Sequence, residues 1–301
     1  MRVVYSELIN APAQGYSPSA AKPAAVMAAW FAAWSQLQVR APVPVTREQL
    51  CLAHDADFVD GVLSLRRPNG FATRNAAVVA SLPYTSGAML TAARWALEAG
   101  GAVAAPVSGF HHASWDEAAD FCTFNGLMVA ARVLQAERPG LRVGILDYDY
   151  HYGNGTDDIL EHVGRAGLVH ITAGERWHHH ADARAFLENI SRDLAELDGC
   201  DLVLYQAGAD PHVDDPLGGF LTTPQLALRD WRVFAGLRER GIPVAWNLAG
   251  GYQDPLAKVV GIHVNTMRAI RCSGSALTRG PCSVQSSRRH GVIPAHQTLE
   301  S

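Results

Sequence analysis

The stretch RVGILDYDYHYGNG, residues 142–155, changes from apolar to ionisable side chains within a few positions. Its apolar first half predicts a buried strand, because short uninterrupted apolar runs are typical of strands that helices cover on both faces. Side chains alternate along an extended segment, so Asp147, Asp149 and His151 project to one side and the tyrosines between them to the other. We therefore predict a binding site at the carboxyl end of this strand.

Similar apolar runs recur along the chain and alternate with segments of helical period. The runs include GAVAAPV, GLVHITA, DLVLYQAG and IPVAWNLAGG, and the helical segments include TSGAMLTAARWALEAG and NGLMVAARVLQAE. This alternation predicts an α/β fold with a mostly parallel central sheet and helices on both faces. We expect a single domain over residues 1–270. Residues 271–301, rich in Ser, Gly, Arg and Pro, are expected to form a low-complexity, poorly ordered tail.

Composition excludes several classes of function. The chain has 301 residues, is 48% hydrophobic and carries a formal net charge of -4, so it has no electrostatic footprint for nucleic acid. No run of 18 apolar residues predicts a membrane span, and the N-terminus lacks the apolar centre of a secretory signal. None of the five cysteines forms a C-x-x-C pair, so no cysteine zinc site is indicated. We expect a cytoplasmic protein with a small-molecule partner.

A metal site is the favoured interpretation of the ionisable residues at the strand ends. Open α/β sheets bind ligands at the carboxyl ends of their strands, so Asp210, which follows DLVLYQAG, can join Asp149 and His151 there. Two carboxylates and one imidazole suit a catalytic zinc or a similar divalent ion with one open position. The alternative is an amphipathic edge strand without metal. Burial favours the metal, because buried carboxylates cost several kcal/mol unless they are paired or coordinated.

Two further motifs carry candidate catalytic groups. His111 and His112 lie in GFHHASWDEAADFC, and histidine is readily tuned for proton transfer near neutral pH. In LAGGY, Gly250 and Gly251 allow the chain to turn so that the Tyr252 hydroxyl points at a developing oxyanion. Each motif alone has a plain alternative, a solvated loop for the histidines and an ordinary turn for the glycines.

Taken together, the motifs resemble those of the histone deacetylase superfamily, metal-dependent amidohydrolases with an arginase-like α/β fold. GFHHASWDEAADFCTFN, LDYDYHYGNGTDDIL, QAGADPHVDDPLGGF and LAGGY occur in family order, within a resemblance that covers residues 22–267. The chain is similar to the bacterial deacetylase-like and acetylpolyamine amidohydrolase-like members. The resemblance implies that Asp149, His151 and Asp210 bind one zinc ion. It also implies a potassium ion near Asp147, Asp149, His151 and Thr172.

The resemblance further implies roles for the remaining site residues. His112 is expected to be the general base and acid, and His111 its electrostatic companion. Asp147 is expected to orient His111, and Asn154 to be the partner of His112. Tyr252 matches the tyrosine that stabilises the transition state.

Substrate binding is expected to involve Phe121, Asp120, Gly250 and Gly251. Phe121 matches one wall of the family's acyl-lysine tunnel. Asp120 stands where a glycine is usual, which would favour a cationic substrate or narrow the channel. Tyr152 replaces a common second histidine, and the loop after Thr172 is shorter than in many relatives.

The implied activity is removal of an acyl group, in the first place acetyl, from an N-acylated amine such as acetyl-lysine or an acetylpolyamine. One alternative is a catalytically silent binding module for acyl-lysine or polyamine on the same fold. Another is a two-manganese ureohydrolase. No nucleic-acid or membrane partner is expected, and the oligomeric state is left open, a homo-oligomer included.

Overall fold

The structure is a computed structural model that describes residues 1–11 and 20–273 of the chain. Its strands are β1 (Arg2–Val4), β2 (Gln38–Arg40), β3 (Ala102–Ser108), β4 (Val143–Asp147), β5 (Leu168–Thr172), β6 (Leu202–Gln206) and β7 (Val244–Ala249). They form one seven-stranded sheet in the order β2-β1-β3-β7-β6-β4-β5, and every neighbouring pair is parallel.

The α-helices of the described residues are α1 (Lys22–Ala33), α2 (Arg47–Leu50), α3 (Ala56–Leu63), α4 (Ala76–Ala99), α5 (Gly126–Glu137), α6 (Asn154–Val163), α7 (Ala183–Glu196), α8 (Thr223–Glu239) and α9 (Ala257–Ser273). Successive strand residues face opposite layers. Val143 and Ile145 of β4 pack in the apolar cluster that includes residues of α4 and α5, whereas Leu146 packs with α1, α7, α8 and α9. The predicted α/β fold with helices on both faces is confirmed.

The four central strands position the candidate site. β3, β7, β6 and β4 are neighbours in the sheet and run in the same direction, so the loops that follow them meet at one edge. This is the edge at which open α/β sheets bind ligands. All of the predicted metal ligands and catalytic residues follow these four strands, except Asp147, which is the last residue of β4.

Helix α4 is an exception to the expectation that no segment suits a membrane span. By length and composition alone it could cross a membrane, with a mean hydropathy of 1.2 over the tested window. However, 61% of that window is buried inside the protein, where α4 packs in the same apolar cluster as β3 and α5. Such burial is typical of a core helix.

The predicted boundary at residue 270 falls inside α9, which continues to Ser273. The rest of the predicted low-complexity tail, residues 274–301, lies outside the described residues.

Candidate active site

Three potential metal ligands meet beyond the ends of β4 and β6. The ligand atoms of Asp149, His151 and Asp210 all lie within 4.8 Å of one another. His151 Nδ1 is 3.0 Å from Asp210 Oδ2 and 3.2 Å from Asp149 Oδ1. Both carboxylates are buried, and His151 is partly exposed. The structure thus brings together the three residues that the sequence predicted as ligands.

This donor set fits a zinc ion. Burial and the charge of Asp149 raise the pKa of Asp210 to about 8, which reflects the cost of holding two carboxylates side by side. A divalent ion among them would offset that repulsion. One imidazole and two carboxylates that converge from separate loops are suitable ligands for a catalytic zinc with an open position.

Two glycines allow the metal-binding loops to approach each other closely. A Cβ atom at Gly250 would lie 2.8 Å from Asp149 Oδ2 and closer still to the carboxylate of Asp210. A Cβ atom at Gly208 would lie 2.5 Å from Asp210 Oδ1. The N–H of Gly250 also donates to Asp149 Oδ2 at 2.7 Å. The structure therefore packs Gly250, predicted to bind substrate, directly against the metal ligands.

Gly250→Ala is expected to push Asp149 and Asp210 apart and to weaken zinc binding by at least about tenfold, since even changes outside a ligand set cost 10- to 100-fold. Competition with a chromophoric chelator measures the affinity. The matched control is Gly261→Ala on α9, where an added Cβ has no heavy atom within 4 Å and zinc binding should not change. Equal affinity in both variants would contradict this geometry.

The two adjacent histidines are held by different partners. Nδ1 of His111 is 2.6 Å from Asp147 Oδ2, and Nδ1 of His112 is 2.6 Å from Asn154 Oδ1. Because both partner atoms are acceptors, each Nδ1 carries the hydrogen that it donates. The ring of His112 lies 4.1 Å from that of His111 and 5.9 Å from that of His151, between centroids. Nε2 of a neutral His112 is therefore free to accept a proton beside the metal ligands.

The imidazoles of His111 and His112 differ in charge near neutral pH. Burial lowers the pKa of His111, but the carboxylates of Asp147 and Asp149 outweigh burial and raise it to about 9. Burial and the positive charge of His111 lower the pKa of His112 below its ordinary value. His112 is thus unprotonated near neutral pH and can act as a base.

A buried histidine that the sequence analysis missed supports the loop that carries this pair. Nδ1 of His54 lies 2.8 Å from the carbonyl oxygen of Ser114, and its Nε2 accepts from the N–H of Asn125 at 2.8 Å. Asn125 in turn donates to the carbonyl of Ala113 and to Thr156 Oγ1. No local sequence pattern marks His54, because its partners lie 60 and 71 residues away.

Burial lowers the pKa of His54 from 6.5 to about 4. As the pH falls from about 6.5 toward about 4, the unfolded chain takes up a proton at His54 and the folded chain does not, so the free energy of unfolding decreases. We expect this residue to contribute a loss of about 2 kcal/mol between pH 7 and pH 4.5. Urea unfolding at pH 7 and pH 4.5 should show a smaller loss for His54→Gln, which cannot titrate. Parallel losses in the parent and the variant would contradict this assignment.

Tyr252 follows β7 through a turn with positive backbone φ. Ala249 has a φ of 53° and Gly251 a φ of 137°, and the N–H of Tyr252 donates to Asp215 Oδ2 at 2.8 Å. Burial, followed by the charges of Asp210 and Asp149, raises the pKa of Tyr252 well above its usual range. The hydroxyl therefore stays protonated and can donate a hydrogen bond.

Lys22 is a second residue that the sequence analysis missed. Its side chain is fully buried, and Nζ donates to the carbonyl oxygen of Ala249 in the turn before Tyr252. Nζ also lies 6.0 Å from the centroid of the Tyr252 ring. Burial lowers the pKa of Lys22 to about 8, and the charges of Asp210 and Asp149 oppose that shift. Lys22, on α1, thus stabilises the turn that precedes Tyr252.

Aromatic rings line the approach to the site. The ring centroid of Phe121 lies 6.0 Å from that of Tyr252 and 5.8 Å from that of Phe71, which the sequence analysis also missed. Asp120 is exposed beside Phe121, and both have positive φ, at 44° and 66°. The predicted wall residue therefore lies next to the predicted transition-state tyrosine.

Two remaining predicted positions lie around the ligand set. Thr172 ends β5, and its Oγ1 accepts from the N–H of Gly153 at 3.2 Å. Tyr152 is 40% exposed and donates to Asp157 Oδ2 at 2.8 Å, outside the ligand set. The replacement of a common histidine by Tyr152 therefore leaves the three ligands in place.

Comparison with known proteins identifies relatives of the chain. The sequence profile of the histone deacetylase domain matches residues 19–175, a span that includes the histidine pair but ends before Asp210 and Tyr252. An uncharacterized protein from Picosynechococcus sp. is 30% identical over 257 residues, which are 78% of this chain and 85% of that protein. Histone deacetylase 2 from Arabidopsis thaliana is 28% identical over 186 residues, and Histone deacetylase 6 from Caenorhabditis elegans is 31% identical over 176.

The matched regions are 46% of the Arabidopsis protein and 18% of the Caenorhabditis protein, so the chain spans less than half the length of these two relatives. Among solved structures, the crystal structure of the HDA15 HD domain superposes with a TM-score of 0.75 over 92% of this chain and 89% of that one, at 21% identity. That likeness shows the same fold. The profile match, which covers more than half of the 301 residues, shows that the chain belongs to the histone deacetylase superfamily.

Proposed function

We propose that the chain is a zinc-dependent amidohydrolase that removes an acyl group from an N-acylated amine such as acetyl-lysine or an acetylpolyamine. Acetyl is the favoured acyl group. The observation that carries this proposal is the convergence of three potential ligand atoms within 4.8 Å beside two histidines with fixed partners. Family membership supports a deacetylase activity, and the site geometry supports its dependence on a metal.

Asp149, His151 and Asp210 would hold the zinc ion. When bound, such an ion polarises a carbonyl oxygen and lowers the pKa of a water molecule toward about 7. The resemblance also suggests that a structural potassium ion would bind near Asp147, Asp149, His151 and Thr172.

His112 would move the proton. Its Nδ1–H donates to Asn154 Oδ1, so Nε2 is the atom that accepts a proton from the attacking water. The same atom then delivers the proton to the nitrogen of the departing amine. Burial, together with the charge of His111 that Asp147 fixes, keeps the pKa of His112 low enough for the first step.

Tyr252 would stabilise the oxyanion. Its hydroxyl remains protonated, and its backbone is held by Asp215 on one side and, through Ala249, by Lys22 on the other. A donor fixed before the reaction stabilises developing charge without reorganising. Phe121 would exclude water from the acyl group on the same side.

For the substrate we propose a small acylated amine or an acetylated lysine side chain, in the cytoplasm and without a nucleic-acid or membrane partner. The exposed carboxylate of Asp120 at the rim favours a substrate that carries a second positive charge, as an acetylpolyamine does. The same carboxylate would not favour a neutral substrate.

A silent binding module is the main alternative, because the same residues could bind an acylated amine without turnover. The two-metal ureohydrolase is disfavoured, since within residues 1–11 and 20–273 the only candidate group of metal ligands is the Asp149, His151 and Asp210 set.

The test is an assay of the full chain, loaded with zinc for a fluorogenic acetyl-lysine amide and an N-acetylated polyamine, and loaded with manganese for agmatine. We expect release of acetate from at least one acylated amine and no urea from agmatine. Bound zinc without turnover of either acylated amine would favour the silent module, and urea release would favour the ureohydrolase.

A further inference from the structure

A buried arginine lies behind the candidate metal centre. Arg229 of α8 is 0% exposed, and its Nη1 donates to the carbonyl oxygens of Tyr148, at 3.0 Å, and Gly208, at 2.8 Å. An arginine stays charged even when buried, and removing that charge from water costs several kcal/mol. Neither the proposed chemistry nor the sequence motifs account for this residue.

The first of its two acceptors belongs to the peptide group that leads into a metal ligand. The carbonyl of Tyr148 is bonded to the nitrogen of Asp149, and the N–H of Asp149 donates to Asp147 Oδ1 at 3.1 Å. With Arg229 on the carbonyl, this peptide plane is held at both ends. The direction in which Asp149 leaves the backbone is fixed accordingly.

The second acceptor belongs to the peptide group one residue before the other carboxylate ligand. The carbonyl of Gly208 accepts from Arg229, and the N–H of Ala209 donates to the carbonyl of Gly250 at 3.0 Å. This plane is also held at both ends, one residue before Asp210. A single nitrogen atom of Arg229 thus joins the loops after β4 and β6, which supply the two carboxylates.

The guanidinium is held in place by a partner outside those loops. Nε of Arg229 donates to Asp230 Oδ1 at 2.8 Å, and Asp230 also accepts from Tyr205 Oη and Thr266 Oγ1, each at 2.6 Å. Asp230 is 1% exposed, so the ion pair is shielded from solvent. Because Asp230 neutralises the guanidinium charge through Nε, Nη1 can donate to both carbonyl oxygens.

We propose that Arg229 is a positioning residue that fixes the spacing of Asp149 and Asp210 before metal binds, and that it thereby sets the zinc affinity. This inference rests on the metal site of the proposed function. Changes to groups that orient metal ligands typically cost 10- to 100-fold in affinity, which is the effect expected on loss of Arg229. If Arg229 only formed a structural ion pair with Asp230, its loss would lower the stability of the protein but leave the zinc affinity unchanged.

The test compares the full-length parent with Arg229→Met/Asp230→Asn, which removes the guanidinium and its counter-charge together and leaves no buried unpaired charge. Thr266→Val is the matched control, because it removes one donor to Asp230 but neither carbonyl contact. For each protein we would measure zinc affinity by chelator competition, the visible spectrum of the cobalt(II) form and unfolding by urea. The cobalt spectrum reports ligand geometry without reference to turnover.

We expect the double variant to bind zinc about 10- to 100-fold more weakly, with an altered cobalt spectrum. Thr266→Val should keep the parent affinity and spectrum while losing stability. If the double variant does not fold, Arg229→Lys keeps the charge but loses the planar fork, and the same weakening is expected of it.

Parent affinity and spectrum in the folded variants at Arg229 would overturn the inference. A fall in affinity that follows stability equally in Thr266→Val would overturn it as well. Failure of the parent itself to bind zinc would refute the proposed function, and this inference with it, whereas parent-like zinc binding in the Arg229 variants would refute only the role of Arg229.

Discussion

Replacement of His112 by alanine is expected to lower kcat/KM by about 100- to 10,000-fold, because the variant loses the group that accepts and returns the proton. Zinc content should not change, since His112 lies beside the ligand set and not within it. Hydrolysis of an acetylated amine by the zinc-loaded protein measures the loss. The control is His179→Ala, which removes an exposed histidine outside both the ligand set and the histidine pair and should keep parent activity.

The pH profile of the parent provides a second readout for His112. Burial and the charge of His111 lower its pKa, and a base must be unprotonated, so activity should fall only as the pH drops below about 6.5, the ordinary histidine value. Parent activity in His112→Ala, or an acid limb well above that pH, would contradict the role of His112 as base.

Replacement of Tyr252 by phenylalanine is expected to lower turnover by about 100- to 1000-fold, the typical cost of removing one oxyanion donor. The ring and its contact with Phe121 remain, so KM and zinc affinity should stay near parent values. Tyr152→Phe is the matched control, because it removes a hydroxyl that is bonded to Asp157 outside the ligand set. Similar losses in both variants would show that Tyr252 has no special role.

Local sequence pattern was sufficient for the fold and for the convergence of the three candidate metal ligands. Alternating apolar strands and helices predicted the parallel sheet, since both periods are set by backbone geometry. Asp149 and His151 are two positions apart, so strand alternation places them on one side. The prediction of Asp210 as a third ligand required one further inference, that neighbouring parallel strands end at the same edge of the sheet.

The supporting residues could not be predicted in this way. Lys22 contacts Ala249 across 227 positions of sequence, and Arg229 contacts Tyr148 across 81. Each looks like an ordinary helix residue, because a charged side chain on a helix usually faces solvent. Their burial is decided by how helices pack behind the sheet edge, which periodicity does not specify.

The close approach at Gly250 was missed for a related reason. The motif LAGGY indicates a turn, and a turn near a site suggests substrate contact. Only the packing shows that the glycine hydrogen faces the carboxylates of Asp149 and Asp210, with no room for a side chain. The sequence indicated the need for glycine but not the neighbour that requires it.

The most direct test of the account is the zinc content of the full chain, measured by elemental analysis after reconstitution and dialysis, beside Asp210→Asn prepared in the same way. The account predicts one zinc ion per parent chain and a marked loss in the variant, because Asp210 is one of three ligands that converge within 4.8 Å. A parent that retains no zinc, or a variant that retains as much as the parent, would contradict it.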